Sequence, residues 1–372
     1  MLEGIWDDAP VDGREAALGT LHRQQVGYPC INYGWITHSR YLSHVAGRDY
    51  WSDPEGVFAE WVRRLGISLV PQWYLPSERH RRLECGEIMH EPSLHEQAGF
   101  RSPEDVARWI EQLPDESAIE RDFDIEAEAD RYARVIREHM ELLGPNTLVI
   151  DSFGQADFMG GYGRWGYENY LEAAALYPRT MRRFYHHSAT AARLRNQAIA
   201  LAVERHGIAP FVYGGQDICG ANGPLMSPAM LRELYFPELK WCLEPLVEAG
   251  IGVIWHCDGD IRPILDDILD LGVVGLQGFE EEHGPRYEDM VRLTGPDGGP
   301  IVVWGCVSVA TTLPRGTVAE VKAAVERSFT VAGAGRGHVL SSTSSIMPET
   351  PLENADALFA HGHAFGREFL GG

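Results

Sequence analysis

Short, uninterrupted apolar runs recur along this chain, and each is followed by a stretch with helical spacing. The runs fall at 30–35, 67–73, 147–151, 209–214, 251–255, 273–277, 300–304 and 338–341. A strand with one wet face alternates apolar and polar residues. A run without alternation is buried on both faces, which is the mark of a parallel sheet covered by helices. Between the runs, 54–66, 103–143, 167–206, 227–249, 261–271, 287–293, 317–331 and 351–369 read as helical. Val57, Phe58, Trp61, Val62 and Leu65, for example, share one helix face. Eight such units is the number that closes a barrel. The rival, a doubly wound open sheet, is disfavoured because no GxGxxG follows the first strand. The expected fold is therefore α/β, a single (β/α)8 TIM barrel over 1–372 as one domain. Residues 1–30 form a peripheral N-terminal arm. The charged, His- and Pro-containing segment 76–101 is an irregular insertion, with a hairpin as one form. Ser102 and Pro103 have the residue types of an N-cap and first helical position.

Charge narrows the partners. The chain carries 54 acidic against 32 basic side chains, a formal net charge of -22. Such a surface repels phosphate backbones, so nucleic acid is excluded as the expected partner. The six cysteines are scattered and include no CxxC pair, unlike a disulfide framework or zinc ribbon. The opening MLEGIWDDAP has neither the basic start nor the apolar core of a signal peptide. No apolar run approaches the ~18 residues of a membrane span. These features lead to the expectation of a cytoplasmic protein with a small-molecule substrate and no membrane partner. A homodimer is left open.

In a barrel of this kind the loops after the strands carry the chemistry. Here those loops are rich in ionisable groups, while the opposite loops hold mainly Gly and Pro. Asp217 follows Gly214-Gly215-Gln216, where the backbone turns tightly. His256 and Asp258 stand two apart at a strand end, so both face one side. Such a pair binds a metal, acts as an oriented acid–base pair, or forms a structural hydrogen bond. Cys257 points the other way and reads as a buried thiol, or as a ligand if the backbone bends. Glu280 opens the acidic run Glu280-Glu281-Glu282, which as a whole reads as a solvated face. Cys306 follows VVWG and reads as a packed core cysteine. His338 opens the last strand, at the end opposite the loops that carry the chemistry.

Several motifs are familiar in their order. Gly223-Pro224-Leu225-Met226-Ser227-Pro228 precedes a helix, and Val253-Ile254-Trp255-His256-Cys257-Asp258-Gly259 follows. Trp304-Gly305-Cys306-Val307 and Pro348-Glu349-Thr350-Pro351-Leu352-Glu353-Asn354 complete the set. Together they resemble the uroporphyrinogen decarboxylase superfamily, most clearly from about 211 onward. The resemblance implies a (β/α)8 barrel and one of two chemistries. One is cofactor-free decarboxylation of porphyrinogen acetates. The other is methyl transfer, as in methylcobamide:coenzyme M methyltransferases and corrinoid demethylation systems. The latter are zinc enzymes with an HxC pair after the fifth strand and a later cysteine. By position, the zinc-site histidine falls on His256, the HxC cysteine on Asp258, the late cysteine on Ser344, and an acidic position on Glu280. His256, Asp258 and Glu280 are thus the implied metal ligands, with Cys257 or Cys306 as substitutes for the missing thiolates. The decarboxylase's RQAGRY segment has no match. The nearest segment, 22–28, carries one arginine, Arg23.

The resemblance favours the methyltransferase branch, with zinc as metal and a corrinoid or methylcobalamin supplied by a partner protein. Asp217, His256, Asp258 and Glu280 are the expected catalytic groups. Tyr33, Tyr213, Trp255, Trp304 and Ser344 are the expected substrate wall, with core packing as the alternative for the aromatic residues. A metal-independent decarboxylase and a non-catalytic ligand- or corrinoid-protein-binding barrel are the alternatives.

Overall fold

The computed structural model describes residues 12–86 and 99–371. Residues 1–11 of the predicted arm and 87–98 of the predicted insertion therefore lie outside the described residues. The chain divides into two compact units. One comprises Met1–Met89, Val135–Asp151 and Val274–Gly372, and the other His90–Arg134 and Ser152–Val273. The strands among the described residues are β1 (Cys30–Ile31), β2 (Leu69–Val70), β3 (Leu148–Val149), β4 (Phe211–Gly215), β5 (Cys219–Gly220), β6 (Gly223–Pro224), β7 (Gly252–His256), β8 (Gly275–Gln277), β9 (Val302–Val307) and β10 (His338–Ser342). Every predicted run contains a strand, each paired in parallel within its unit.

In the first unit β1 pairs with β10, β10 with β9, and β9 with β8. β2 pairs with β3, and a parallel bridge from Asn32 to Leu69 joins that pair to the chain after β1. All six residues of β9 are buried, as a strand covered on both faces must be. The helix Val318–Ala332 packs on β9, and Leu352–Leu370 packs on that helix. Its start is fixed by a capping box. The Thr317 hydroxyl accepts from the Glu320 N–H, and the Glu320 carboxylate accepts from the Thr317 N–H at 2.7 Å.

The acidic run beyond β8 is partly solvated, as expected, with Glu282 exposed, and it is also tied to its surroundings. Arg327 of the helix Val318–Ala332 holds Glu281 and Glu288, each at 2.7 Å. Glu281 also accepts the Tyr287 N–H at 2.7 Å, and Glu282 accepts the Thr311 hydroxyl at 2.7 Å. His338 begins β10, at the end the sequence indicated. It lies between the Tyr287 and Ser328 hydroxyls, and burial pushes its pKa down to about 3. It is a neutral packing residue.

In the second unit β4 and β7 pair in register from Phe211↔Gly252 to Gly215↔His256. The helix Pro178–His206 packs along Phe236–Glu248. Asn196 on the former helix is buried and anchors the loop beneath it: its amide donates to the Gly154 and Cys242 carbonyls, and its oxygen accepts the Gly154 N–H.

Several predicted elements divide. The region 103–143 contains Pro103–Glu111, Glu116–Asp122 and Ile125–Leu143, with Ser102 and Pro103 at N-cap and N1 as expected. The region 167–206 breaks before Pro178, and 227–249 breaks at Tyr235 before Pro237. A proline lacks the N–H needed to continue the preceding helix. The described part of 76–101 forms the helix Glu78–Glu84 rather than a hairpin. Ser77 and His80 make a reciprocal cap at its start, with the Ser77 N–H donating to His80 Nδ1 at 2.9 Å. Among the described residues no helix is long and apolar enough to cross a membrane.

Candidate active site

Because β4 and β7 are parallel neighbours, the segments that follow them leave the sheet side by side. Two glycines allow the close approach. A Cβ on Gly215 would lie 1.9 Å from the His256 carbonyl oxygen, so no other residue fits there. Gly259 has φ +85, and a Cβ there would meet the Gly220 oxygen at 2.6 Å. The loops are then joined twice. The Asp258 N–H donates to Asp217 Oδ1 at 3.1 Å, and the Asp260 N–H to the Gly220 oxygen at 3.0 Å.

This arrangement gathers Asp217, His256 and Asp258. His256 Nε2 lies 3.4 Å from Asp217 Oδ1 and 3.9 Å from Asp258 Oδ1. One donor atom from each residue falls within a 4.8 Å set that could hold a metal ion. The side chains are between one-fifth and about one-third exposed, so a ligand can reach them. Burial alone would push the imidazole pKa down. The hydrogen bond to Asp217 and the charges of both carboxylates reverse this and raise it to about 9. Burial likewise works against an ionised Asp217, but the His256 contact and the Asp258 N–H hold its carboxyl below the usual range. At neutral pH the trio is therefore an imidazolium held by carboxylates. It can donate a proton, or give its place to a divalent cation as pH or metal availability dictates.

The Cys257 thiol is not poised for reaction. Cys257 is buried, its S–H donates to the Asp258 carbonyl at 3.1 Å, and burial followed by the Cys219 contact pushes its pKa well up. Of the predicted substrate wall, Tyr213 lies in β4 with its ring 6.2 Å from that of His256. Trp255 is buried and alternates with His256 along β7, which turns it to the opposite face.

The remaining predicted residues belong to the first unit. Tyr33 is buried, with its hydroxyl on the Gln72 carbonyl at 3.0 Å. Trp304 is buried and stacks on Trp35, 6.3 Å between centroids. Glu280 follows β8, and its carbonyl accepts the His283 and Gly284 N–H groups. Ser344 follows β10, and its carbonyl accepts the Ser342 hydroxyl. Cys306 lies within β9 beside Arg327 at 3.5 Å, its thiol pushed up by burial. The donor set within the second unit is thus Asp217 with His256 and Asp258, whereas the sequence pointed to Glu280 as the third ligand.

Tyr162 and Tyr167 escaped the sequence reading, which named Gln216 only as part of a turn. Gln216 Oε1 accepts the Phe158 and Met159 N–H groups at 2.5 and 2.6 Å, which anchors the start of the helix Met159–Trp165. Tyr162 of that helix donates to the Asp217 carbonyl at 3.4 Å and stacks on Tyr167 at 4.5 Å. The signal was present in the Gly–aromatic stretch 158–170, FMGGYGRWGYENY, just beyond the third strand's loop.

No curated protein matches the chain. Among solved structures, a methyltransferase from Methanosarcina mazei shares the fold. It has a TM-score of 0.61 and 20% identity, over 95% of this chain and 99% of that one. The family model for uroporphyrinogen decarboxylase (URO-D) matches residues 156–365, which include every residue of the trio and more than half of the chain. With the motifs around His256 and the parallel strands that present them, this match establishes that the chain belongs to the uroporphyrinogen decarboxylase family.

Proposed function

We propose that the chain is a methyltransferase-like enzyme that moves a methyl group between a small methylated compound, or a corrinoid carried by a partner protein, and an acceptor. The observation that carries this reading is the convergence of Asp217, His256 and Asp258 at the ends of paired parallel strands. The likeness in fold to a methyltransferase supports it. In this reading the eight parallel strands close into one (β/α)8 barrel, a single cytoplasmic domain with the trio at its C-terminal ends. Asp217 and Asp258 orient the imidazole and keep its proton in place. Where the methyl leaves an oxygen or sulfur atom of a small compound, His256 Nε2 delivers that proton to it, so the leaving group departs without excess charge.

The donor set also fits a divalent cation, because three ligand atoms already converge. Zinc would be held by Asp217, His256 and Asp258, where it would supply Lewis acidity that lowers the pKa of an acceptor thiol. Two carboxylates make a harder donor set than two thiolates. The test pairs metal content with turnover. Wild type, His256→Ala and Asp258→Ala are analysed for zinc and assayed for methyl transfer from methylcobalamin to a thiol. About one zinc per chain, lost in both variants together with transfer, supports the metal-assisted form. Transfer without zinc rules out the metal-assisted form. Transfer that survives His256→Ala overturns the reading.

A metal-independent carboxy-lyase is the second reading. The proton held on His256 favours it, since decarboxylation leaves a carbanion that must be protonated. Release of carbon dioxide from a pyrrolic acid, abolished in His256→Ala, would establish it.

A further inference from the structure

We propose that the stacked pair Tyr162–Tyr167 is the substrate-recognition element of this site, and that it selects a cationic methylated compound, a quaternary ammonium. This deepens the methyl-transfer reading and rests on it. Tyr162 and Tyr167 stack at 4.5 Å with 12° between their planes. Tyr162 reaches the Asp217 carbonyl at 3.4 Å, so the pair adjoins the trio rather than standing apart from it. Tyr167 is 54% exposed, which leaves ring surface open to a ligand beside an otherwise buried aromatic cluster.

The position of the pair is held from both sides. Gln216, next to Asp217 in the chain, anchors the start of the helix that carries Tyr162. In return, Gln155 Nε2 donates to the Gly215 carbonyl at 3.0 Å. The end of β4 and the start of the helix Met159–Trp165 are therefore tied to each other beside Asp217.

Charge decides the class of ligand. The trio sets two carboxylates against one imidazole ring, so it is short of positive charge in either protonation state of the ring. The only cation of the helix Met159–Trp165, Arg164, lies over the Trp109 ring at 4.6 Å. Asp157 is occupied at the helix start by the Gly160 N–H. Aromatic faces carry partial negative charge and attract a cation that cannot donate hydrogen bonds. A primary ammonium would go directly to the carboxylates. A methylated one instead offers apolar surface for the rings and charge for the carboxylates.

The chemistry balances. The C–N bond of one methyl breaks and its electron pair stays on nitrogen. A thiolate acceptor forms the new S–C bond. The tertiary amine leaves neutral.

The test is a titration of the full chain with choline and with 3,3-dimethylbutan-1-ol, which has the same shape without the charge. Choline is expected to bind roughly tenfold more tightly. Tyr167→Ala, at an exposed position, is expected to keep the wild-type melting temperature and to lose most of that preference, while Tyr167→Phe keeps it. Equal affinity for the two probes, no choline binding, or a preference unchanged in Tyr167→Ala overturns the inference. Its failure is distinguishable from that of the parent reading. If the probes bind alike while methyl transfer still depends on His256, only the ammonium inference falls. If choline is preferred but transfer survives His256→Asn, the methyl-transfer reading falls, and with it the catalytic part of this one.

Discussion

His256 is an imidazole whose neighbours outweigh its burial, and that makes its charge measurable. Its pKa in the folded chain is about 9 against an ordinary 6.5. A group raised in this way stabilises the fold fully below the unfolded value, and the contribution is lost as pH rises through the folded one. Urea midpoints of the wild type should therefore fall between about pH 6.5 and 9 more steeply than those of His256→Asn. Identical slopes would mean that the imidazole is neutral in the native state. On the acid side Asp217, held below the usual range, should contribute a loss as pH falls. For activity, His256→Asn is expected to cost about 10²- to 10⁴-fold in kcat, the ordinary worth of one positioned proton donor.

The sequence made His256 and Asp258 visible because two residues on an extended strand end share a side. It made Asp217 visible through the glycines before it. It could not show that Glu281 and Glu282 are tied, since Arg327 is 46 residues from Glu281, Thr311 is 29 from Glu282, and only the fold brings them together. Tyr162 was missed for a similar reason: its relation to Asp217 depends on how a helix 55 residues earlier meets the end of β4.

At the scale of elements, the closeness of β4 and β7 depends on the absence of side chains. Gly215→Ala would drive a methyl into the His256 carbonyl, and Gly259→Ala adds strain at a positive φ. Each is expected to lower stability by about 1–3 kcal/mol in urea titrations and to abolish ligand binding at the trio. Wild-type affinity in Gly215→Ala would show that the strands separate at no cost. Away from the site, Thr317→Ala removes one half of a capping box and should cost about 1 kcal/mol in urea, with turnover unchanged.

Strand positions were legible because each is a short apolar run. Helix breaks before Pro178 and Pro237 were not, because the apolar spacing continues through both. The β5–β6 hairpin was hidden by its size, two residues per strand around Ala221-Asn222.

For the whole molecule, charge sets the conditions. A chain at -22 repels itself, and salt relieves that repulsion. The melting temperature should rise when salt is increased from about 0.01 M to about 0.15 M, over which the Debye length falls from about 30 to about 8 Å. A melting temperature that falls over this range would mean that surface ion pairs such as Arg232–Asp267 outweigh the net repulsion.

The pairing of β1 with β10 has a further consequence, for synthesis. Asn32, just after β1, bonds to Ser341 of β10 across 309 residues of chain. At roughly 5–20 residues per second, β1 waits about 15–60 s after leaving the ribosome before its neighbour exists. Through that interval Cys30 and Ile31 have the chain at Ser68 and Leu69 on one side, and the edge that β10 will cover stays open. What shields the open edge of β1 while β10 is still being made therefore bears on how much of this protein a cell accumulates.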